Sequence, residues 1–213
     1  MRINIIIPAY NEEEHIGKTL HSLVNQTIPI HKIIIVNDNS TDGTQKIIES
    51  FTNNFLNIES IKLISSNNHL PGSKVINAFN KGFELVDKSY DIICKLDADL
   101  IFPLNYFERV IELFKHDANV GMAGGFCYVK KNNTWIVEGL TNKDHLRGAL
   151  KAYRKDCFTA IGGLKNTMGW DTVDELLARY HGWSIATDEC LKVQHLKPTG
   201  VNYSVNAKYK QGE

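Results

Sequence analysis

The sequence has few of the features that mark secreted, membrane-spanning or nucleic-acid-binding proteins. Lys+Arg and Asp+Glu both number 24, so the chain has no net charge and no basic excess that would suggest nucleic acid. No signal peptide precedes the first apolar run, and no apolar run approaches the roughly 18 residues that a membrane span needs. We therefore expect a cytoplasmic domain without a membrane span, and its association with the inner face of a membrane stays open.

Cysteines and linker sequences are equally sparse. The four cysteines have neither a CxxC pair nor a cysteine–histidine cluster among them, which favours buried, reduced thiols: Cys94, Cys127, Cys157 and Cys190. Neither an internal repeat nor a Pro/Gly/Ser-rich linker divides the 213 residues, of which 43% are hydrophobic. This composition is enough for an ample core. We therefore predict a single domain over residues 1–213.

The chain does contain a regular alternation of short apolar runs and amphipathic stretches. Four branched, apolar runs predict buried strands: Ile3–Ile7, Lys32–Val36, Ile61–Ile64 and Ile92–Leu96. Helices are predicted between them, the first capped by Asn11. Short connections between strand and helix are typical of a parallel sheet. The pattern predicts an α/β fold, with a central, mostly parallel sheet flanked by helices on both faces.

The pattern changes after residue 99. A helix opened by Pro103 and a small, glycine-rich strand over Val120–Phe126 come first. The segment Tyr128–Lys143 is polar and irregular, which indicates an excursion over a pocket. A later helix has an apolar stripe that we expect to be buried: Val173, Leu176, Leu177 and Tyr180.

Two carboxylates stand one residue apart at the end of the fourth predicted strand. Asp97 and Asp99 follow the apolar run Ile92–Leu96, and open α/β sheets place their ligands at this end of their strands. Alternate residues of an extended chain point the same way, so both carboxylates can address one target. Oxygen ligands on this spacing suit Mg²⁺ or Mn²⁺ held against a diphosphate. The alternative is an ordinary solvated loop.

Two further polar segments, PAYNE at 8–12 and NDNS at 37–40, follow the first and second strands. The ends of parallel strands meet at one edge, so we expect these segments to converge with the acidic pair in the geometry of a nucleotide site. Asp38 can accept a hydrogen bond from a ring N–H, and Tyr10 can stack on a base. The alternatives are a helix cap for Asp38, a half-buried aromatic for Tyr10 and a helix-dipole partner for Glu12.

The motifs PAYNEE, VNDNSTDGT and KLDADL, in this order, resemble the family-2 glycosyltransferases of the GT-A fold. The similarity runs from Ile3 to about Gly200. It implies a bacterial, inverting enzyme with a DxD motif, a nucleotide-sugar-binding half over about 1–99 and an acceptor and catalytic half over about 100–213. One departure is Asn37, where the family often has an acidic residue. Because Asp38 is kept, we expect base recognition to survive.

By this resemblance, Asp38 recognises the base and Asp99 holds the metal bound to the diphosphate, while Asp97 faces the ribose or metal side. Three other residues line the base and ribose pocket: Pro8, Tyr10 and Glu12. Relatives often have a histidine at the position of His195 that completes the metal shell; the alternative is a structural histidine. Lys74, at the start of a helix, can meet a phosphate, or it lies on the surface as an ordinary lysine.

Asp171 is the candidate general base. Many relatives carry Glu-Asp where this chain has Trp170-Asp171, and an acceptor hydroxyl needs a carboxylate to take its proton as it attacks. The alternative is a charge at a helix N-terminus, where Asp is favoured anyway. The predicted apolar stripe turns Asp171, Asp174 and Glu175 toward a cleft or solvent. Asp174 and Glu175 are therefore assigned to the acceptor or sugar pocket, where either could replace Asp171, and Trp170 is expected to stack on the sugar.

Together these inferences predict a metal-dependent, inverting glycosyltransferase of the hexosyltransferase type. It would move a sugar from a nucleotide diphosphate sugar to a saccharide, lipid-linked or other hydroxyl acceptor, in synthesis of a cell-envelope polysaccharide or a glycoconjugate. UDP is the leading nucleotide because Asp38 suits the N–H of uracil, although guanine and thymine present the same group. The alternative is a nucleotide-sugar-binding module of the same fold that is non-catalytic, or shortened so that its acceptor site is incomplete.

Overall fold

The computed structural model describes residues 1–64, 73–139 and 145–197. The first half of the chain alternates strands and helices: β1 (Ile3–Ala9), α1 (Ile16–Val24), β2 (Lys32–Asp38), α2 (Thr44–Asn54), β3 (Ile58–Leu63), α3 (Ser73–Phe83) and β4 (Ile92–Leu96). The second half is less regular: β5 (Leu100–Ile101), α4 (Tyr106–His116), β6 (Val120–Lys131), β7 (Thr134–Val137), β8 (Leu150–Arg154), α5 (Lys155–Ala160), α6 (Trp170–Tyr180) and β9 (Ser184–His195).

All the strands join one sheet, in the order β3-β2-β1-β4-β8-β6-β9-β5, with β7 paired to β6. The strands β1 to β4 are parallel to one another, as predicted. Beyond β4 the directions are mixed, because β8 runs antiparallel to both β4 and β6 whereas β9 runs parallel to β6. The α/β fold is confirmed, and its parallel part is the half that precedes residue 99.

Helices cover both faces of the sheet, and the alternation of side chains along β1 explains why. Ile3, Ile5 and Ile7 point to the face that packs against α1, α2 and α4. Ile6 points to the opposite face and packs in the cluster that includes α3, α5 and α6. Since a buried parallel strand packs against helices on both sides, its sequence is mostly apolar, and in β1 the exception is the buried Asn4.

The loop after β1 differs from its prediction. Asn11 does not cap α1, which begins at Ile16; it adopts a left-handed conformation with φ of 52°. Its Oδ1 accepts a hydrogen bond from the backbone N–H of Thr41 at 2.8 Å. The amide side chain thus joins the loops after β1 and β2, which is a tertiary contact that the helix-cap pattern does not contain.

The predicted irregular excursion over Tyr128–Lys143 is in large part a β-hairpin. Strand β6 continues to Lys131, which pairs with Thr134 at the start of β7. Asn132 and Asn133 form the two-residue turn, with φ of 48° and 63°. Two successive left-handed residues are what a tight hairpin requires, and asparagine tolerates that conformation. The prediction missed this hairpin because polar side chains were taken as a sign of irregular structure.

The predicted buried stripe of α6 is wrong for two of its four residues, since Leu177 packs against the core and Val173 is partly buried. Leu176 and Tyr180 are 62% and 84% exposed, whereas the buried residues of the helix are Trp170, Asp174, Glu175 and Ala178. Two carboxylates thus lie on the inward face, where sequence patterns place apolar groups. These carboxylates have buried hydrogen-bond partners, which explains why they face inward.

All four cysteines are free thiols, three of them buried and Cys190 exposed. The expected reduced state is compatible with this arrangement, but burial was predicted for all four. Within the described residues, no helix has the length and apolarity that crossing a membrane requires.

Candidate functional site

The topology brings the polar loops after β1 and β2 into direct contact at the carboxyl edge of the parallel strands. The backbone N–H of Asn11 donates to Ser40 Oγ at 2.9 Å, and that of Glu12 donates to Thr44 Oγ1 at 2.7 Å. In the other direction, Gly43 N–H donates to Glu13 Oε2 at 2.6 Å. The predicted convergence of the first two polar segments is therefore observed, and side chains of one loop satisfy the backbone of the other.

Asp38 ends β2 with a buried carboxylate. Its Oδ1 has no hydrogen-bond partner among the residues that the structure describes. Its neighbour Asn37, by contrast, is fully used: Nδ2 donates to Gln45 Oε1 at 2.6 Å, and Oδ1 accepts from Ser40 N–H at 3.1 Å. A buried acceptor without a partner costs free energy unless a ligand supplies the donor. Asn37 therefore shapes the loop, while Asp38 offers an acceptor.

The other residues assigned to nucleotide binding surround this edge. Tyr10 follows β1 directly and is 60% exposed, which leaves its ring accessible. Pro8 lies on β1, opposite Val36 of β2, and is partly buried. Lys74, also partly buried, is in the first turn of α3. Their assigned roles stay predictions.

The acidic pair meets His195 across the chain. Short strand β5 pairs with the end of β9, with Leu100 opposite His195, which brings Asp99 beside the imidazole. The distance from His195 Nε2 to Asp99 Oδ2 is 3.3 Å, and both side chains are buried. One ligand atom from each of Asp97, Asp99 and His195 lies within 4.8 Å of the others. The structure therefore brings the three predicted metal-side residues together.

Glu138 adds a further carboxylate that the sequence analysis did not single out. It follows β7 and is buried, and its Oε2 lies 2.5 Å from His195 Nδ1. Burial alone would lower the pKa of His195, but the hydrogen bonds to Asp99 and Glu138 outweigh it and raise that pKa to about 9. The imidazole thus has a carboxylate beside each of its two nitrogens.

Glu12 belongs to the same electrostatic group. Its Oε1 pairs with Lys197 Nζ at 2.5 Å, while Oε2 is buried without a hydrogen-bond partner among the described residues. Burial raises the pKa of Glu12, the ion pair with Lys197 opposes this, and the negative charges of Asp99 and Asp97 add to the increase. Glu12 therefore interacts electrostatically with Asp97 and Asp99.

Lys95 connects the acidic pair to the second half of the molecule. It is buried in the middle of β4, and its Nζ donates to Asp97 Oδ1 and, at 2.8 Å, to the carbonyl of Gly148. The same ammonium lies 5.2 Å from the centre of the Trp170 ring. A buried lysine needs such partners, because desolvation of an unpaired charge is costly.

A second buried lysine, Lys151, lies opposite Lys95 in the β4–β8 register. Its Nζ donates to Asp174 Oδ1 at 2.7 Å and to Glu175 Oε1 at 3.2 Å. Tyr153 donates to the other oxygen of Asp174 at 2.5 Å. Burial is the main cause that raises the pKa of Asp174, with Lys151 opposing it. These carboxylates therefore stabilise an internal network.

The structure thus corrects three assignments to the acceptor or sugar pocket. Asp174 and Glu175 face inward and are used by Lys151, so neither lines an open cleft. Trp170 is buried in the core cluster, with the ammonium groups of Lys95 and Lys151 5.2 and 5.7 Å from the centre of its ring. The prediction assumed that polar residues of α6 face outward. Asp174 and Glu175 face inward because their partner Lys151 is buried.

Asp171 lies on the first turn of α6 and is partly buried. A Cβ placed on Gly148 would lie 3.0 Å from Asp171 Oδ2, so this carboxylate packs directly against Gly148. The Gly148 carbonyl is also the acceptor for Lys95, which binds Asp97. Asp171 and the acidic pair are therefore separated by one glycine and one lysine side chain.

The chemistry of the donor set fits a divalent cation. Two carboxylates and an imidazole are ligands that Mn²⁺ and Mg²⁺ sites use, and the donors of Asp97, Asp99 and His195 are close enough to share one ion. Asp97 is partly exposed whereas Asp99 and His195 are buried, so the set opens on the side of Asp97. Its role as a metal site stays a prediction.

Sequence reasoning missed four residues of this region: Glu138, Lys95, Lys151 and Lys197. The two buried lysines did leave a signal, since each interrupts an apolar strand, in IICKL and in LKAYR. A charge inside a buried run predicts a buried partner. Glu138 and Lys197 left no such signal, because their partners are 57 and 185 residues away in the sequence.

Solved structures of similar fold include two glycosyltransferases with nucleotide sugars bound. The mannosyltransferase PcManGT from Pyrobaculum calidifontis, in complex with GDP-Man and Mn²⁺, has a TM-score of 0.73 at 16% identity and aligns with 94% of this chain and 58% of its own. Residues 1–349 of TarS from S. aureus, in complex with UDP-GlcNAc, give a TM-score of 0.72 at 16% identity, with 99% and 64% covered. At this identity the likeness supports the GT-A fold and no detail of the reaction.

Sequence comparisons lead to the family. A 4,4'-diaponeurosporenoate glycosyltransferase of Staphylococcus aureus is 52% identical over 42 residues, which are 20% of this chain and 11% of that protein. The chain thus spans only part of the relatives that it matches. The family model described as Glycosyl transferase family 2 matches residues 4–165. This match covers most of the sequence, and the chain therefore belongs to glycosyl transferase family 2.

Proposed function

We propose that the chain is an inverting glycosyltransferase that moves a sugar from a nucleoside diphosphate sugar, UDP-linked, to a hydroxyl acceptor. The observation that carries the proposal is the convergence of Asp97, Asp99 and His195, whose ligand atoms lie within 4.8 Å of one another at the carboxyl edge of the sheet. Family membership supports glycosyl transfer as the reaction class. The donor nucleotide, the acceptor and the stereochemistry are part of this proposal.

The donor side of the proposal is supported by Asp38 and Tyr10. The buried Oδ1 of Asp38, which has no hydrogen-bond partner in the described part of the chain, can accept the ring N–H of uracil. The exposed Tyr10 ring can stack on the base. The base would lie over the carboxyl ends of β1 and β2, with its diphosphate toward the acidic pair. Glu12 and Pro8 would border the ribose, and Lys74 would meet a phosphate at the start of α3.

Asp99, Asp97 and His195 would hold Mg²⁺ or Mn²⁺. The bound cation would offset the negative charge that develops on the departing nucleoside diphosphate. Neighbouring side chains position these ligands: Lys95 donates to Asp97, and Asp99 lies against His195. Without the cation, the close carboxylates Asp97, Asp99 and Glu12 would repel a diphosphate, so we expect nucleotide binding to require it.

Asp171 would be the general base. It stands at the N-terminus of α6, next to the Gly148–Lys95 bridge, and would take the proton of the acceptor hydroxyl as this attacks the anomeric carbon. Attack from the face opposite the leaving group, in one step, inverts the anomeric centre. Asp174 and Glu175 cannot replace it in this conformation, because both are buried. In this scheme residues 1–99 bind the donor and residues 100–213 supply the base and the acceptor site.

Calorimetric titration with UDP, GDP and dTDP, each in Mn²⁺ and in EDTA, tests the proposal. We expect UDP to bind in Mn²⁺ at least tenfold more tightly than the other two, and to lose that binding in EDTA and in Asp99→Ala. Asp156→Ala, which removes an exposed carboxylate on α5, is the matched control and should bind like the parent chain.

The titration separates the parts of the proposal. Preferential binding of GDP or dTDP would replace UDP as the donor nucleotide and leave the metal site intact. Equal nucleotide affinity in Mn²⁺ and in EDTA would show that nucleotide binding does not require a metal ion. If none of the three nucleotides binds under either condition, the chain is not a nucleotide-sugar-dependent transferase.

A further inference from the structure

The two nitrogens of His195 have different carboxylate partners. Nδ1 lies 2.5 Å from Glu138 Oε2, and Nε2 lies 3.3 Å from Asp99 Oδ2. All three side chains are buried, so solvent does not compete for these contacts. The imidazole therefore has one short contact on the side of the hairpin and one longer contact on the side of the acidic pair.

This asymmetry has a consequence for metal binding. A histidine that binds a cation through one nitrogen keeps a proton on the other, and an acceptor for that proton fixes both the tautomer and the plane of the ring. Glu138 offers such an acceptor to Nδ1. Nε2 is then the nitrogen left to face Asp97 and Asp99.

Glu138 is itself held in place from several directions. Its backbone N–H donates to the Cys127 carbonyl at 2.8 Å, which extends the β6–β7 hairpin by one residue. Arg147 Nη1 donates to the Glu138 carbonyl at 3.2 Å, and Nη2 lies 3.6 Å from its carboxylate. A carboxylate with a fixed backbone and a cationic neighbour has little freedom to turn away from His195.

We propose that Glu138 is a positioning residue: it binds Nδ1 of His195 and holds Nε2 toward Asp97 and Asp99, so that a divalent cation finds a pre-arranged third ligand. The inference rests on the metal site of the proposed function and adds a residue to it. The β6–β7 hairpin would then have a function in the site, because Glu138 directly follows β7 and lies beside His195 at the end of β9.

The competing arrangement uses Glu138 as a ligand. Cys127, Glu138 and His195 also have ligand atoms within 4.8 Å of one another, which resembles a site for a softer cation. The position of Arg147 disfavours it, because its guanidinium lies beside the Glu138 carboxylate and repels a cation at that point.

The test is the affinity for Mn²⁺ alone, measured from the electron paramagnetic resonance signal of the free ion, in the parent chain, Glu138→Gln, His195→Ala and the double variant. We expect Glu138→Gln to weaken Mn²⁺ binding about tenfold when His195 is present. In the His195→Ala background the same substitution should have no further effect, because a positioning residue acts only through the group that it positions. Glu59→Gln, on β3, is the matched control.

A weaker effect is expected for Glu138→Asp, which keeps the buried charge and provides a second variant if Glu138→Gln does not fold. Parent-like Mn²⁺ affinity in every folded Glu138 variant would overturn the inference. An equal loss in the presence and absence of His195, or a Cys127-dependent Cd²⁺ site, would overturn it in favour of Glu138 as a ligand. Absence of Mn²⁺ binding in the parent chain would instead refute the metal site of the proposed function, and the inference with it.

Discussion

The parallel half of the sheet and the mixed half are built on different cores. Strands β1 and β2 bury apolar side chains on both faces, and carboxylates stand at the ends of strands, as Asp38 does. In the mixed half, β8 buries Lys151 in mid-strand, and α6 turns two carboxylates inward to meet it. Where the two halves meet, Lys95 lies opposite Lys151.

The difference teaches where a sequence pattern is informative. An apolar run has one stable environment, so its burial can be predicted from the residues themselves. A charged residue has two, water or a buried partner of opposite sign, and the choice depends on a residue elsewhere in the chain. The predictions were therefore accurate for β1, β2 and β4. The third strand runs over Ile58–Leu63 instead of Ile61–Ile64, with Ile58 buried and Ile64 exposed. In α6 the inward face carries two carboxylates that were predicted to face outward.

The largest expected effect is a loss of reaction rate in the mixed half, which contrasts with a loss of UDP affinity in the parallel half. Asp171→Asn should lower the rate of UDP release from a bound UDP-sugar by about 10²- to 10⁴-fold, because the acceptor loses its base, with UDP affinity unchanged. Asp38→Ala should instead weaken UDP binding by about ten- to a hundredfold, since a hydrogen bond to a charged acceptor is lost. Calorimetry and a UDP-release assay measure the two effects. Loss of UDP binding in Asp171→Asn would contradict this division.

The second prediction compares a buried lysine with an exposed one. Lys151→Met leaves Asp174 and Glu175 buried without their cation, and should lower the free energy of unfolding by about 3–5 kcal/mol. Lys62→Met, on β3, removes a lysine whose side chain is 62% exposed and should change it by less than about 0.5 kcal/mol. Urea unfolding of both variants decides the matter. Similar small losses would show that the network of α6 does not depend on Lys151.

The third prediction concerns the contact between β6 and β9. A Cβ on Gly125 would lie 2.1 Å from the Leu191 carbonyl oxygen, and backbone cannot move aside as a side chain can. Gly125→Ala should therefore destabilise the protein by about 1–3 kcal/mol. The change in the urea midpoint measures it. A parent-like midpoint would mean that β6 and β9 can separate at Gly125 without loss of stability.

The smallest expected effect is a gain, in the parallel half. A Cβ on Gly17, in α1, would meet Ile47 Cγ2 at 3.5 Å, which is an ordinary contact. Gly17→Ala should raise the free energy of unfolding by about 0.5–1 kcal/mol, because alanine loses less conformational entropy in a helix. The same urea experiment applies, and destabilisation would indicate that α1 packs more tightly against α2 than its contacts suggest.

The candidate site was predictable to different depths. Asp38, Asp97 and Asp99 could be located from the sequence because each lies at or just after the end of a recognisable strand, and parallel strands end at the same edge. His195 was assigned only through a family resemblance, and the structure places it beside Asp99. Glu138 was missed because its only sign in the sequence was a polar segment, which equally describes a loop.

By itself, the sequence determined the parallel strands β1 to β4, the helices that cover them and the edge where the polar loops gather. These features depend on local periodicity and on neighbours in the chain. Only the tertiary structure decided which charges are buried together: Lys151 with Asp174, and Glu138 with His195. The physical reason is that a buried charge is stable only beside its partner, and the fold of the whole chain brings the partners together.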